Sequence, residues 1–197
     1  MRISLRKISF MLFVLLFSLT GSVCSSPSPP PPHFAKRLPG PIDRFALVGE
    51  GVYRGGQPDE KGVKELKRLG VRTVIDLRSS ERKEYDDLLA KNGIEHIRIP
   101  MSDISGEPPT EEQVKKFFEI VSDPSKKPVF FHCRRGVDRT GVFCALYRIE
   151  IDGWENSEAS KEMQFFGFSP TVYPAFHKFI LDYKPHIIKR DASQKGR

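Results

Sequence analysis

Apolar residues recur along the chain at two spacings, one typical of strands and one typical of helices. Five short runs, rich in β-branched or aromatic residues, predict strands at residues 45–48, 52–54, 71–77, 94–99 and 129–133. Apolar residues three and four positions apart predict helices at residues 60–69, around 85–89, from 110 to about 121, and at 141–151, 157–166 and 172–183. Strands that alternate with helices indicate an α/β domain, with a mainly parallel sheet flanked by helices.

Two of the predicted helices begin with capping signals. Asp59 can accept a hydrogen bond from the first turn of the helix at 60–69. Thr110, followed three residues later by Gln113, has the pattern of a capping box. These two capping signals therefore predict, from the sequence alone, where the two helices begin.

The first 24 residues have the pattern of a secretory signal peptide. A basic start is followed by an apolar run from about residue 8 to 19 and then by small polar residues. This run is short for a membrane span, which takes about 20 residues. We therefore expect an exported protein, periplasmic or secreted. The alternatives are an uncleaved anchor at the amino terminus and a lipid attached to Cys24.

Composition divides the remaining chain into three parts. Residues 25–41 are rich in Ser and Pro and predict an extended linker, residues 42–185 form the expected domain, and residues 186–197 form a basic tail. The formal charge of the chain is +7, and 29 basic against 25 acidic side chains remain without residues 1–24. This surplus is too small to indicate nucleic-acid binding, but it suits an anionic substrate. We expect a monomer, with membrane contact only through a retained leader or a lipid.

The cysteine and histidine residues predict neither a disulfide framework nor a metal site. The chain has three cysteines, and Cys144 lies in an apolar run where a small buried side chain is expected. The histidines outside the 129–141 region show no ligand spacing, so we expect no metal and no cofactor. Export would expose a reactive thiol to an oxidising compartment.

Residues 129–141 predict a strand, an anion-binding loop and a buried helix in direct succession. Backbone N–H groups at a helix amino terminus can bind a phosphate, and Gly136 would let the backbone turn tightly toward it. The same field favours the thiolate form of Cys133, a nucleophile. Arg139 could bind two phosphate oxygens with its planar guanidinium, and the Thr140 hydroxyl could donate to the thiolate.

A phosphorylated cysteine intermediate also needs an acid for the leaving group and a base for water. Asp103 is the first candidate because it follows a predicted strand, and Glu107 in the same loop is the reserve. Asp138, inside the phosphate loop, could instead position water or neighbouring side chains, although its charge also repels phosphate. His132 is expected to be a buried residue that orients the loop.

Other basic residues near the predicted site allow two interpretations. Arg134 and Arg135 could contact substrate directly or form a solvated basic rim. Arg54 and Arg78, at the ends of predicted strands, are expected to make structural ion pairs.

The segment His132-Cys133-x-x-Gly136-x-x-Arg139-Thr140-Gly141 resembles the signature of the cysteine-dependent protein tyrosine phosphatases. Residues 52–58 and 74–78 and the loop of Asp103 are similar to segments of the dual-specificity branch, especially its bacterial and atypical members. The resemblance implies a four- or five-stranded sheet, a phosphocysteine intermediate and no metal. It makes Cys133 the nucleophile, Arg139 the phosphate clamp and Asp103 the general acid.

By the same resemblance, the remaining loop residues would bind substrate: Arg134, Arg135, Gly136, Val137, Asp138 and Thr140. We therefore expect hydrolysis of phosphotyrosine, and of phosphoserine or phosphothreonine as further substrates. Atypical relatives that hydrolyse inositol pyrophosphates make an inositol phosphate or phosphoinositide phosphatase the alternative. A phosphate-binding module without turnover and a sulfur transferase of rhodanese type are the rivals from other classes.

Overall fold

A computed structural model describes residues 33–102 and 106–188 of the 197-residue chain. In these residues six strands form one sheet: β1 (Lys36–Arg37), β2 (Ala46–Gly49), β3 (Val52–Gly56), β4 (Thr73–Arg78), β5 (Glu95–Met101) and β6 (Val129–Cys133). Their order across the sheet is β1-β2-β3-β6-β4-β5. The pairs β3–β6, β6–β4 and β4–β5 are parallel, whereas β1–β2 and β2–β3 are antiparallel.

The helices of the described residues are α1 (Glu60–Arg68), α2 (Lys83–Lys91), α3 (Glu111–Ser122), α4 (Asp138–Tyr147), α5 (Asn156–Phe165) and α6 (Pro174–Asp182). A π-helical turn at Arg148–Asp152 follows α4 directly. Both predicted capping signals are confirmed, since Asp59 Oδ1 accepts from the Gly62 N–H at 2.8 Å and Thr110 and Gln113 form the reciprocal bonds of a capping box. None of the described helices is long and apolar enough to span a membrane.

The predicted α/β class with a mainly parallel sheet is confirmed, but the sheet of the described residues has six strands where the resemblance implied four or five. The strand that the sequence did not predict is β1, at the antiparallel edge. β1 has only two residues, Lys36 and Arg37, and both are exposed. An exposed two-residue strand has no hydrophobic alternation, so the sequence pattern could not reveal it.

Packing extends beyond residues 42–185 at both ends. Ala35 is buried, and its backbone N–H donates to the Glu162 carboxylate at 2.5 Å. At the other end, the buried Glu150 carboxylate accepts the backbone N–H groups of His186 at 2.9 Å and Ile187 at 3.1 Å. Residues 1–32, which include the predicted signal peptide, and residues 189–197 of the basic tail lie outside the described residues.

The strand β6 is buried on both faces and divides the core in two. Phe130 packs on the side of α1 and α2, in a cluster with Leu66 and Leu89. Phe131 points to the opposite side, where its ring contacts Phe117 edge-on with centroids 5.2 Å apart. Because side chains alternate along a strand, these two rings fix β6 from both sides. The carboxyl end of β6, where Cys133 lies, is therefore firmly placed.

Candidate active site

The loop between β6 and α4 packs closely against the end of β3. Gly136 has a φ of +70°, a conformation that residues with a side chain rarely adopt. A Cβ atom there would lie 2.5 Å from Gly55 C and from Gly56 N, so a side chain would clash with backbone. This close approach requires glycine at position 136.

Two predicted site residues lie at the ends of the central strands. Cys133 is the last residue of β6 and is 2% exposed. Arg139, in the first turn of α4, is half-buried, and its Nη1 donates to Leu77 O at 3.3 Å and to Met101 O at 3.5 Å. These carbonyls belong to the carboxyl ends of β4 and β5. The side chain of Arg139 therefore extends from the loop to the neighbouring strand ends.

The exposed part of the loop carries an ion pair. Arg134 and Arg135 are both exposed, and Arg135 Nη2 lies 2.9 Å from Asp138 Oδ2. The hydrogen bond with this carboxylate raises the pKa of Arg135. This ion pair partly neutralises the charge of Asp138, which the sequence analysis expected to repel a phosphate.

The remaining predicted loop residues are buried. Val137 is 3% exposed and lies in the main hydrophobic core. The Thr140 hydroxyl donates to Gly55 O at 3.5 Å, a long hydrogen bond to the same strand end that Gly136 contacts. Thr140 therefore connects α4 to β3 in this structure.

His132 is buried directly behind the loop. Its Nε2 lies 2.9 Å from the Tyr85 hydroxyl and its Nδ1 lies 3.3 Å from Cys133 O. Burial lowers the pKa of His132 to about 4, so the ring is neutral at pH 7. A neutral ring satisfies both contacts when Nδ1–H donates to the carbonyl and Nε2 accepts from the tyrosine. These bonds hold the ring against the backbone of the predicted nucleophile.

A buried ion pair supports the neighbouring strand end. The Asp76 carboxylate accepts from Arg78 Nη2 at 2.6 Å and from the Arg78 backbone N–H at 2.9 Å. Burial alone would raise the pKa of Asp76, but the nearby His96 ring and the hydrogen bonds from Arg78 hold it well below its usual range. The Arg78 guanidinium also lies over the Tyr85 ring, 5.1 Å from its centroid. The structural ion pair predicted for Arg78 is confirmed.

Two arginines that the sequence analysis did not assign to the site bind the loop from outside. Arg54 Nη2 donates to Gly136 O at 2.7 Å, and Arg44 Nη1 donates to Arg135 O at 3.1 Å. The ion pair predicted for Arg54 does not occur among the described residues, where its hydrogen-bond partner is this carbonyl. The only sequence signal was the position of Arg54 directly before two glycines.

The candidate general acid Asp103 lies outside the described residues, which end at Ser102 and resume at Gly106. Ser102 directly follows Met101, whose carbonyl accepts from Arg139. The reserve candidate Glu107 is exposed.

The described residues contain two free cysteines, Cys133 and Cys144. Burial raises the pKa of Cys144 to about 12, so this thiol is protonated and unreactive at pH 7. Among residues 33–102 and 106–188, no group of three or more His, Cys, Asp or Glu side chains could hold a metal ion.

The buried, neutral His132 predicts acid sensitivity. Its pKa is near 6.5 when unfolded and about 4 when folded, so the unfolded state binds more protons between these values. The free energy of unfolding should fall as the pH drops from 6.5 to 4, by up to about 1.4 kcal/mol per pH unit from this group. Urea unfolding at several pH values measures the slope. The His132→Asn variant should have a shallower slope over this range, and an equal slope would contradict the prediction.

Comparison with known proteins agrees with this geometry. Residues 48–172 match the family described as DSP-PTPase phosphatase fused to NAD+ kinase. The chain is 35% identical over 102 residues to the chloroplastic NAD kinase 2 of Arabidopsis thaliana, covering 49% of this chain and 10% of that protein. It is 27% identical over 141 residues to the dual specificity protein phosphatase TpbA of Pseudomonas aeruginosa, covering 72% of this chain and 62% of that protein.

A solved structure is also similar. The core catalytic domain of the PP-IP phosphatase SIW14 from S. cerevisiae, in complex with citrate, is 26% identical with a TM-score of 0.64. The likeness covers 73% of this chain and 87% of that one. The matches to NAD kinase 2 and TpbA span less than two thirds of the length of those proteins. The family match covers more than half of the residues of this chain, and the chain therefore belongs to the family described as DSP-PTPase phosphatase fused to NAD+ kinase.

Proposed function

We propose that the protein is a cysteine-dependent phosphatase, which hydrolyses phosphotyrosine and, as further substrates, phosphoserine or phosphothreonine. The main observation behind this proposal is that the segment from Cys133 to Arg139 connects a buried strand to the amino terminus of a helix. Backbone N–H groups at such a terminus and the Arg139 guanidinium suit the charge of a phosphate dianion. Membership of a phosphatase family supports the same conclusion.

The reaction takes place in two displacements. In the first, the Cys133 thiolate attacks phosphorus, an S–P bond forms, and the P–O bond to the leaving group breaks as Asp103 donates a proton to that oxygen. In the second, Asp103 takes a proton from water, which attacks phosphorus. The S–P bond then breaks, releasing orthophosphate and restoring the thiolate. Arg139 and the loop N–H groups stabilise the charge on the three remaining oxygens throughout.

An inositol phosphate or pyrophosphate is the second candidate substrate. The observation that favours it is the exposure of Arg134, a loop cation outside the Arg135–Asp138 ion pair that could bind a further phosphate. The likeness to SIW14, a PP-IP phosphatase, supports this alternative, whereas the likeness to TpbA, a dual specificity protein phosphatase, supports the first one.

The first test is the nucleophile. The Cys133→Ser variant should lose all turnover of p-nitrophenyl phosphate under reducing conditions and still bind orthophosphate, because the loop N–H groups and Arg139 remain. Arg139→Lys should lose about 100-fold in kcat/KM, since a lysine cannot make the paired charged hydrogen bonds. The matched control is Cys144→Ser, which should keep normal activity because a serine hydroxyl can make the same bond to Glu162 that this protonated thiol makes. Turnover by Cys133→Ser would disprove the mechanism, and absence of turnover by the wild-type protein would favour a binding module.

The second test separates the two candidate acids. Asp103→Asn should slow hydrolysis of phenyl phosphate much more than that of p-nitrophenyl phosphate, because only the poorer leaving group needs a proton. Glu107→Gln should slow both equally or not at all. Comparing kcat for the two esters measures the difference, and a leaving-group dependence in Glu107→Gln alone would transfer the role to Glu107.

The third test ranks substrates. A phosphotyrosine peptide should have a higher kcat/KM than inositol hexakisphosphate or an inositol pyrophosphate, assayed by phosphate release at the same ionic strength. Arg134→Met should reduce turnover of the inositol compounds more than turnover of the peptide, because only the former carry additional phosphates. Faster turnover of an inositol compound by the wild-type protein would reverse the order of the two candidates.

A further inference from the structure

Three consecutive carbonyl groups of the phosphate loop are bound by donors outside the loop. The donor and acceptor pairs are Gln57 N–H to Arg134 O at 3.2 Å, Arg44 Nη1 to Arg135 O at 3.1 Å, and Arg54 Nη2 to Gly136 O at 2.7 Å. The next carbonyl, Val137 O, accepts the helical bond from Gly141 N–H at 2.8 Å. Every peptide group in this part of the loop is therefore held in one orientation.

This orientation determines where the loop N–H groups point. In a planar trans peptide, the C=O of one residue and the N–H of the next point in opposite directions. Donors behind the loop therefore turn the N–H groups of Arg135, Gly136 and Val137 to the other side. Within the described residues, none of these three N–H groups has a hydrogen-bond acceptor. They are available to an anion on that side of the loop.

Arg54 is the most unusual of the three donors. Its side chain is fully buried, and its guanidinium lies 4.1 Å from the centroid of the Phe166 ring. Its Nε and Nη1 are buried without a hydrogen-bond partner in the described part of the chain. Burying an arginine whose donors are only partly satisfied costs free energy. Among the described residues, the hydrogen bond that this side chain does make is the short bond to Gly136 O.

Arg44 acts on the adjacent peptide and depends on the same aromatic residue. Its Nε donates to Phe166 O at 3.1 Å while its Nη1 donates to Arg135 O. Phe166 thus supports Arg54 with its ring and Arg44 with its carbonyl. A single residue at the end of α5 links both arginines to the loop.

We propose that Arg54 and Arg44 are positioning residues, which hold the Gly136 and Arg135 carbonyls away from the phosphate and keep the following N–H groups directed at it. The proposal rests on the proposed function, since it concerns the same loop. Without these donors a peptide group could rotate, and a carbonyl oxygen would then face the anion and repel it. Loss of either arginine therefore weakens phosphate binding without removing any group that touches the phosphate.

The test measures phosphate binding and folding separately. Arg54→Met and Arg44→Met are each combined with Cys133→Ser, and the dissociation constant of orthophosphate is measured by calorimetry, with Tm recorded on the same samples. Each variant should bind phosphate about tenfold more weakly, because each loses one hydrogen bond that keeps a loop N–H group directed at the charged ligand. In proteins that keep Cys133, the inhibition constant of orthophosphate should rise by the same factor.

The matched control is Arg37→Met, in the same backgrounds. Arg37 also lies over the Phe166 ring, 4.9 Å from its centroid, but it donates to Phe165 O, and within residues 33–102 and 106–188 it makes no hydrogen bond with the loop. This variant loses one positive charge and a contact with the Phe166 ring, as Arg54→Met does, and in addition a contact with the Phe165 ring. Its phosphate affinity should stay within twofold of wild type, and a tenfold loss here would attribute the effect to charge and overturn the proposal.

The remaining outcomes are also decisive. A lower Tm with unchanged phosphate affinity in both arginine variants would show a purely structural role and overturn the proposal. If Arg54→Met does not fold, Arg44→Met, at a half-buried position, decides the matter. If the wild-type protein binds phosphate but hydrolyses no ester, the proposed function fails, while the binding constants still decide whether the arginines position the loop.

Discussion

The backbone contact of Gly136 with Gly55 and Gly56 is the constraint on which the site depends. A Cβ at position 136 would lie 2.5 Å from backbone atoms of β3, so the loop can lie here only without a side chain. This approach brings Gly136 O within 2.7 Å of the Arg54 guanidinium, and it brings Gln57 N–H within 3.2 Å of Arg134 O. The orientation of the loop peptides is therefore a consequence of how closely the loop packs on the strand.

Burial behind the loop makes this arrangement rigid. Phe130 and Phe131 fix β6 from opposite faces, and His132 connects Cys133 O to the Tyr85 hydroxyl. Burying a charged imidazole here would cost desolvation free energy, and for this reason burial lowers the pKa of His132. Apolar packing and the neutral bonds of His132 thus place the end of β6, whereas the charged groups of Arg54 and Arg44 bind the carbonyls of the loop that follows.

The sequence predicted the local features of the site and missed those that connect distant parts of the chain. Strand, loop and helix at residues 129–141 follow from neighbouring residues, and so does the capping box at Thr110. By contrast, 82 residues separate Arg54 from Gly136 and 91 separate Arg44 from Arg135. An arginine at a strand end suggests an ion pair, as in Arg78, and only the fold reveals that Arg54 meets a carbonyl instead. The two exposed residues of β1 carry no pattern at all.

The charge balance of the loop bears on the choice of substrate. The loop sequence contains three arginines, Arg134, Arg135 and Arg139, and one acidic residue, Asp138. This count alone suggests a strongly positive site suited to several phosphates. In the structure, Arg135 pairs with Asp138 at 2.9 Å, so these two charges largely cancel toward solvent. Arg139 is directed along the ends of β4 and β5 and is suited to the reacting phosphate itself. Arg134 then remains as an exposed loop cation outside this pair, so the loop presents less free positive charge to solvent than the residue count suggests.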